Sequence, residues 1–143
     1  MTFKVTESNT RQNTFKTIYT LINDNKISGS HVLAGFSNTN VKFPCYVIQP
    51  ALVPVINADI QGTSQDFDIS IEIELWCTSQ QLKAKIDELR DNIFTTLNNN
   101  NTYLNDNNLT LAEDWFEDSN VDTVEIDQVK YHTAGIMLRF KLC

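Results

Sequence analysis

The chain has 143 residues, 41% hydrophobic and 20% charged, with a formal net charge of −7; this is the composition of one globular domain, long enough to bury a core without a metal or a disulfide. The charge is uneven: residues 1–60 hold five bases and three acids, residues 61–143 six bases and fifteen acids. An acidic surface repels phosphate backbones, which argues against tight nucleic-acid binding over a broad face but allows DNA to slide past without sticking.

In chain order, Glu7 to Asn23 is expected to be a helix. Phe15, Ile18, Tyr19 and Ile22 share one helical face, Ser8 or Thr10 stands at its start, and Asn23-Asp24-Asn25 ends it. Residues 24–42, rich in Ser, Asn and Gly, read as a long connection with a turn near Ile27 to Gly29. Phe43 to Gln49 reads as a strand flanked by Pro44 and Pro50, residues 50–56 as an extended edge, and 57–66 as a polar loop.

Asp68 to Cys77 carries the clearest strand signal. Ile69, Ile71, Ile73, Leu75 and Cys77 alternate with Ser70, Glu72, Glu74 and Trp76, so one face is expected in the core and the other toward solvent or a partner. A helix follows, with Thr78 and Gln81 as a candidate capping box and Leu82, Ile86, Leu89, Ile93 and Leu97 as its apolar stripe. Asn98 to Asn101 are poor helix formers and end it, and Asn105 to Asn108 reads as a turn.

Leu109 to Phe116 is then expected as a strand, Val121 to Val129 alternates loosely, and Tyr131 to Leu142 is a second strong strand. In the last, Ile136, Leu138, Phe140 and Leu142 oppose Met137, Arg139 and Lys141, and Gly135 marks a bulge or a close backbone approach. Strands 43–49 and 68–77 are expected to pair, and the last two strands to form a hairpin. The reading is one α+β domain over residues 1–143, a mostly antiparallel sheet with two helices on one face. Flexible segments are expected at 1–6, 24–42, 57–66 and 98–108.

Little in the sequence points to catalysis. Cys45, Cys77 and Cys143 are widely spaced with no CxxC, and are read as reduced thiols. His31 and His132 lie far apart without ligand spacing; Glu125 and Asp127 are the nearby carboxylates for an incidental pair with His132. With four glycines there is no phosphate-binding loop, and no nucleophile elbow occurs. The protein is read as a non-enzyme with no cofactor and no metal. The N-terminal residues Met1 to Lys4 lack an apolar run, so no secretory signal is expected, and synthesis in a cytoplasm is inferred.

Two constellations remain. Glu72, Glu74 and Trp76 share the outward face of the alternating strand, and a large aromatic there signals contact with another chain or an overlying segment. Glu113, Asp114, Glu117, Asp118, Asp122, Glu125 and Asp127 form an acidic run with no base between them, read as a solvated hairpin, a wall facing DNA, or a patch for a basic partner. Trp115 and Phe116 sit inside that run as a candidate anchor.

The order of these parts resembles a known family. An amphipathic helix, the Pro-flanked strand Phe43 to Pro50, the alternating strand Asp68 to Cys77, the helix from Gln81 to Leu97 and C-terminal strands ending on Ile136-Met137-Leu138-Arg139-Phe140 are similar to the tail terminator (tail completion) proteins of long-tailed viruses. Head–tail connector and neck proteins share the pattern. The resemblance implies a virion structural protein that forms a ring, typically a homohexamer. The ring caps the tail tube, docks to the head or neck, and leaves a channel for DNA passage during ejection. Its implied partners are copies of itself, the tail tube protein and neck or connector proteins, with DNA passing unbound and no membrane involved. Alternatives are another neck, connector or tail tube protein, or a small dimeric ligand-binding α+β domain.

Overall fold

The alternation along Asp68–Thr78 (β3) organises the molecule. Ile69, Ile71, Ile73, Leu75 and Cys77 are all fully buried, as the pattern requires. In a computed structural model that describes residues 7–35, 41–52, 68–81 and 83–142, β3 pairs on both sides. On one side lies Cys45–Ile48 (β2), antiparallel, with Cys45 opposite Trp76 and Ile48 opposite Ile73. On the other lies Val129–Leu142 (β6), antiparallel along the whole of β3, with Ile71 opposite Leu138. Both expected pairings, β2 with β3 and the final hairpin, are present.

His31–Ala34 (β1) adds a parallel edge beside β2. It lies inside the stretch expected to be a long flexible connection, which is a correction to that reading. The turn before it is as expected: Ser30 N–H donates to the Ile27 carbonyl at 3.0 Å, and Gly29 has a φ of 86°. Leu52 continues the β2 side as a bridge to Ser70. Residues 53–56, the expected loop 57–66, the segment 1–6, and Leu82 and Cys143 lie outside the described residues.

The C-terminal region is one long, irregular hairpin. Leu109–Asp118 (β4) and Asp122–Ile126 (β5) follow each other along the same edge of β6. Asp127 and Gln128 join β5 to β6 with φ of 50° and 68°, the left-handed pair that a two-residue hairpin turn needs. Register slips twice. Residues 112–115 stand opposite Arg139 alone, and residues 119–121 stand opposite Ala134 and Gly135. At the second slip Ser119 N–H donates to the Gly135 carbonyl at 2.9 Å, and Gly135 N–H donates to Ser119 Oγ at 2.8 Å. The irregularity expected at Gly135 is thus real, although its extra residue sits on the partner strand.

Two helices cover one face of this mainly antiparallel sheet. Glu7–Asn25 (α1) contributes Ile18, Leu21 and Ile22, and Ala84–Asn98 (α2) contributes Ile86, Leu89, Ile93 and Leu97, to one cluster with the inward residues of β2, β3 and β6. Apolar burial on this scale is the main stabilising term. Tyr46, fully buried on β2, ties the layers together. Its hydroxyl donates to Asn92 Oδ1 at 2.8 Å and accepts from Ile27 N–H at 3.3 Å, while Asn92 Nδ2 donates to the Asn25 carbonyl at 2.9 Å.

The capping-box reading is half realised. Gln81 Oε1 accepts from Thr78 N–H at 3.1 Å, but the pair closes a turn ahead of the helix, which begins at Ala84 with no side-chain cap on Lys83. Asn101–Asp106 (α3) is a short helix in the stretch expected to be flexible, a second correction. Leu104 anchors it in the core, and Asn100 Nδ2, Asn101 Nδ2 and Asn107 Nδ2 donate to the carbonyls of Thr96, Asn98 and Tyr103. Among the described residues no helix is long and apolar enough to cross a membrane.

Candidate assembly surface

The second face of the sheet is built by the other half of each alternation. Along β3 it presents Ser70, Glu72, Glu74 and Trp76. Opposite them on β6 stand Arg139, Met137, Gly135 and Thr133, and Glu117 of β4 faces Met137. None of the buried helix residues joins this side; its buried cluster is Cys45, Val47 and Trp76, with Leu33, Val41, Phe43, Val124 and Tyr131 against it.

Glu72, Glu74 and Trp76 therefore do share a face, but in three different environments. Glu72 is exposed, with one oxygen near Gly135. Glu74 is half-buried and accepts from Gln49 Nε2. Trp76 is only 9% exposed, its ring meeting Tyr131 edge-on at 6.0 Å, while Phe43 lies 5.0 Å from Tyr131. Of the two contacts expected for Trp76, another chain or an overlying segment, the structure shows the second: Val41, Phe43, Val124 and Tyr131 of this chain pack around it. The face consequently runs from an aromatic, covered end through Glu74 and Glu72 to an open end where Arg139 stands opposite Ser70 and Lys141 opposite Asp68.

Trp115 and Phe116 lie elsewhere. In a regular strand, consecutive residues point to opposite faces. The register slip in β4 lets both rings reach Phe94 of α2, with centroids at 5.0 Å for Trp115 and 5.2 Å for Phe116 and the two rings 5.5 Å from each other. Both residues pack against the helix-side core, so they do not form one site with Glu72, Glu74 and Trp76. Phe94 is 43% exposed, which leaves a partly open aromatic cluster at the sheet edge. It was legible in the sequence only as a phenylalanine off the apolar stripe of its helix.

The acidic run is less bare than the sequence implied. Arg139 reaches Glu117 at 2.7 Å and Asp114 at 3.7 Å, and Arg90 reaches Asp118 at 3.1 Å and Asp87 at 3.2 Å. Arg90 also donates to the Ser119 carbonyl at 2.9 Å, pinning the second register slip to α2. His132 pairs with neither Glu125 nor Asp127; its Nδ1 lies 3.1 Å from Thr123 Oγ1. At the hairpin tip Ile126 and Val129 are 46% and 45% exposed, an apolar pair in a polar surround.

Burial, helped by Glu74, pushes the Cys45 thiol up to about 12, and burial likewise raises the Cys77 thiol, so both are held protonated. Among the described residues no cluster of His, Cys, Asp or Glu has the geometry to hold a metal ion. The surface offers one sheet face with an aromatic, covered end and an open end of mixed charge, an aromatic cluster at the β4 edge, and an apolar hairpin tip. Neither a family model nor a curated protein matches this chain.

Proposed function

We propose that this chain is a virion structural protein of the head–tail junction of a long-tailed virus, a tail terminator. It assembles as a ring, typically of six copies, that caps the tail tube, joins it to the head or neck, and passes DNA through its channel. The observation that carries the reading is the second sheet face. A subunit whose own helices cover one side of its sheet, and whose other side carries Glu72 and Glu74 with the paired Glu117 and Arg139 beyond the aromatic cluster, has a surface suited to a neighbour or to a channel wall. The order of helix, Pro-flanked strand, alternating strand, helix and C-terminal hairpin supports the same reading. Carboxylates along a lumen would repel DNA phosphates and let the duplex slide.

The test is the mass of the purified protein by light scattering across a concentration series, followed by imaging on isolated tail tubes. A closed species of about six subunits, or a ring on the tube end, is expected. A chain that stays monomeric in solution and fails to bind tubes counts against the reading.

A further inference from the structure

Two surface features at opposite edges of the sheet carry complementary chemistry. On the β2 side, α1 and the 50–52 segment form an open groove of about 550 Å³, lined by apolar Phe15, Pro50 and Leu52 and by the bases Arg11 and Lys16. Leu52 is 56% exposed there, and Lys16 is exposed on α1. On the far side, the irregular part of β4 presents the cluster of Phe94, Trp115 and Phe116 among Glu113, Asp114, Glu117 and Asp118. Arg139 is shared between Asp114 and Glu117, and Arg90 between Asp87 and Asp118, so the surround stays negative.

Strands β3 and β6 lie between these two features, so they sit on opposite flanks of one subunit. A second copy can bring one to the other. We propose that the acidic aromatic bulge of one copy seats in the basic apolar groove of the next, with Trp115 against Phe15, Pro50 and Leu52 and with Glu113 toward Lys16. The inference rests on the assembly reading above and names the contact by which copies join. The apolar match supplies affinity, and the charges select the partner and its register. Because the two patches are unlike, the contact is head-to-tail, the kind that closes into a ring when the rotation permits.

The test compares the wild type with Lys16→Glu, Glu113→Lys and the double variant, by light scattering over a concentration series. Each single reversal is expected to raise the concentration needed for self-association about tenfold, as an attractive rim pair becomes repulsive. The double variant restores the pair with the charges exchanged and regains assembly, which also excludes misfolding of either single variant. Carbodiimide treatment of mixed ¹⁵N-labelled and unlabelled wild type is expected to join Lys16 of one copy to Glu113 or Asp114 of another. An oligomer that neither single reversal weakens overturns this contact and leaves the ring reading standing. A wild type that stays monomeric, with no inter-copy cross-link in solution or on tail tubes, overturns both.

Discussion

Along β3, the side chains of Ile69, Ile71, Ile73, Leu75 and Cys77 all end in one aliphatic cluster with the helices, whereas those of Glu72, Glu74 and Trp76 pass from solvent to a small aromatic enclosure. The first face is uniform because two amphipathic helices cover its length. The second is graded because, among the described residues, 41–43 and the hairpin lie over it at one end. Under the proposed assembly role, the difference separates the requirements of folding from those of assembly. Large-to-small changes on the helix face should act on stability, and changes at the open end of the second face should act on what the protein joins.

The largest expected effect is on the helix face. Phe140→Ala removes a fully buried ring from the main cluster and should cost about 4 kcal/mol, measured by denaturant unfolding. Trp76→Ala should cost about 3 kcal/mol, because its cluster is smaller and closed by loop and hairpin residues that can relax. A larger loss for Trp76→Ala than for Phe140→Ala would reverse the ranking of the two faces.

A middle-sized effect lies at the link between the layers. Tyr46→Phe keeps the ring but leaves Asn92 Oδ1 without its phenolic donor and Ile27 N–H without its acceptor. The expected loss is about 2 kcal/mol. Asn92→Ala in the same background should then add less than it does alone, a coupling that a double-mutant cycle would reveal.

How far these faces were legible in the sequence follows from how local their causes are. The alternation of β3 and the stripe Ile86, Leu89, Ile93, Leu97 depend on backbone period alone, and both appear as expected. Strand β1 was missed because its four residues are half-buried or exposed and gain their order from pairing with β2. Helix α3 was missed because asparagine is a poor helix former on average, while here three asparagine amides bond carbonyls of α2 and α3. For the candidate surface, periodicity placed Glu72, Glu74 and Trp76 on one face but could not say what lies over Trp76. The covering groups, Phe43 and Tyr131, come from distant parts of the chain. The same holds for Phe94, which joins Trp115 and Phe116 only through the slip in β4.

A smaller effect distinguishes the covered end of the second face by pH. The unfolded Cys45 thiol ionises near its ordinary value of 9.0, whereas in the fold it stays protonated to about 12, chiefly through burial and then through Glu74. Above pH 9 the unfolded state therefore binds fewer protons than the folded one, and stability falls as pH rises from 9 toward 12. Between pH 8 and pH 10 this site should remove about 1 kcal/mol. The buried phenol of Tyr46, also raised by burial, acts in the same direction at higher pH. Cys45→Ala should flatten the profile over that interval relative to the wild type. An unchanged slope would mean that the thiol reaches solvent.

The smallest effect on folding, and the sharpest on function, belongs to the open end. Replacing Glu72 and Glu74 together by lysine reverses the charge there, while the strand's inward residues are untouched. Glu72 is exposed, and Glu74 loses only its bond from Gln49 Nε2, so the stability change should stay within about 1 kcal/mol. If this end lines a channel, lysines would hold DNA phosphates where carboxylates release them, and if it meets a neighbour whose positive charge complements the glutamates, lysines would repel it. Under the proposed virion role, the double variant should fold normally yet yield few infectious particles when it replaces the wild type. A defect in ring formation by light scattering would place the pair at a subunit contact. Normal rings with failed DNA delivery would place it in the lumen. Wild-type titres from a folded double variant would remove the open end of this face from both roles and leave the bulge-and-groove contact as the remaining route to assembly.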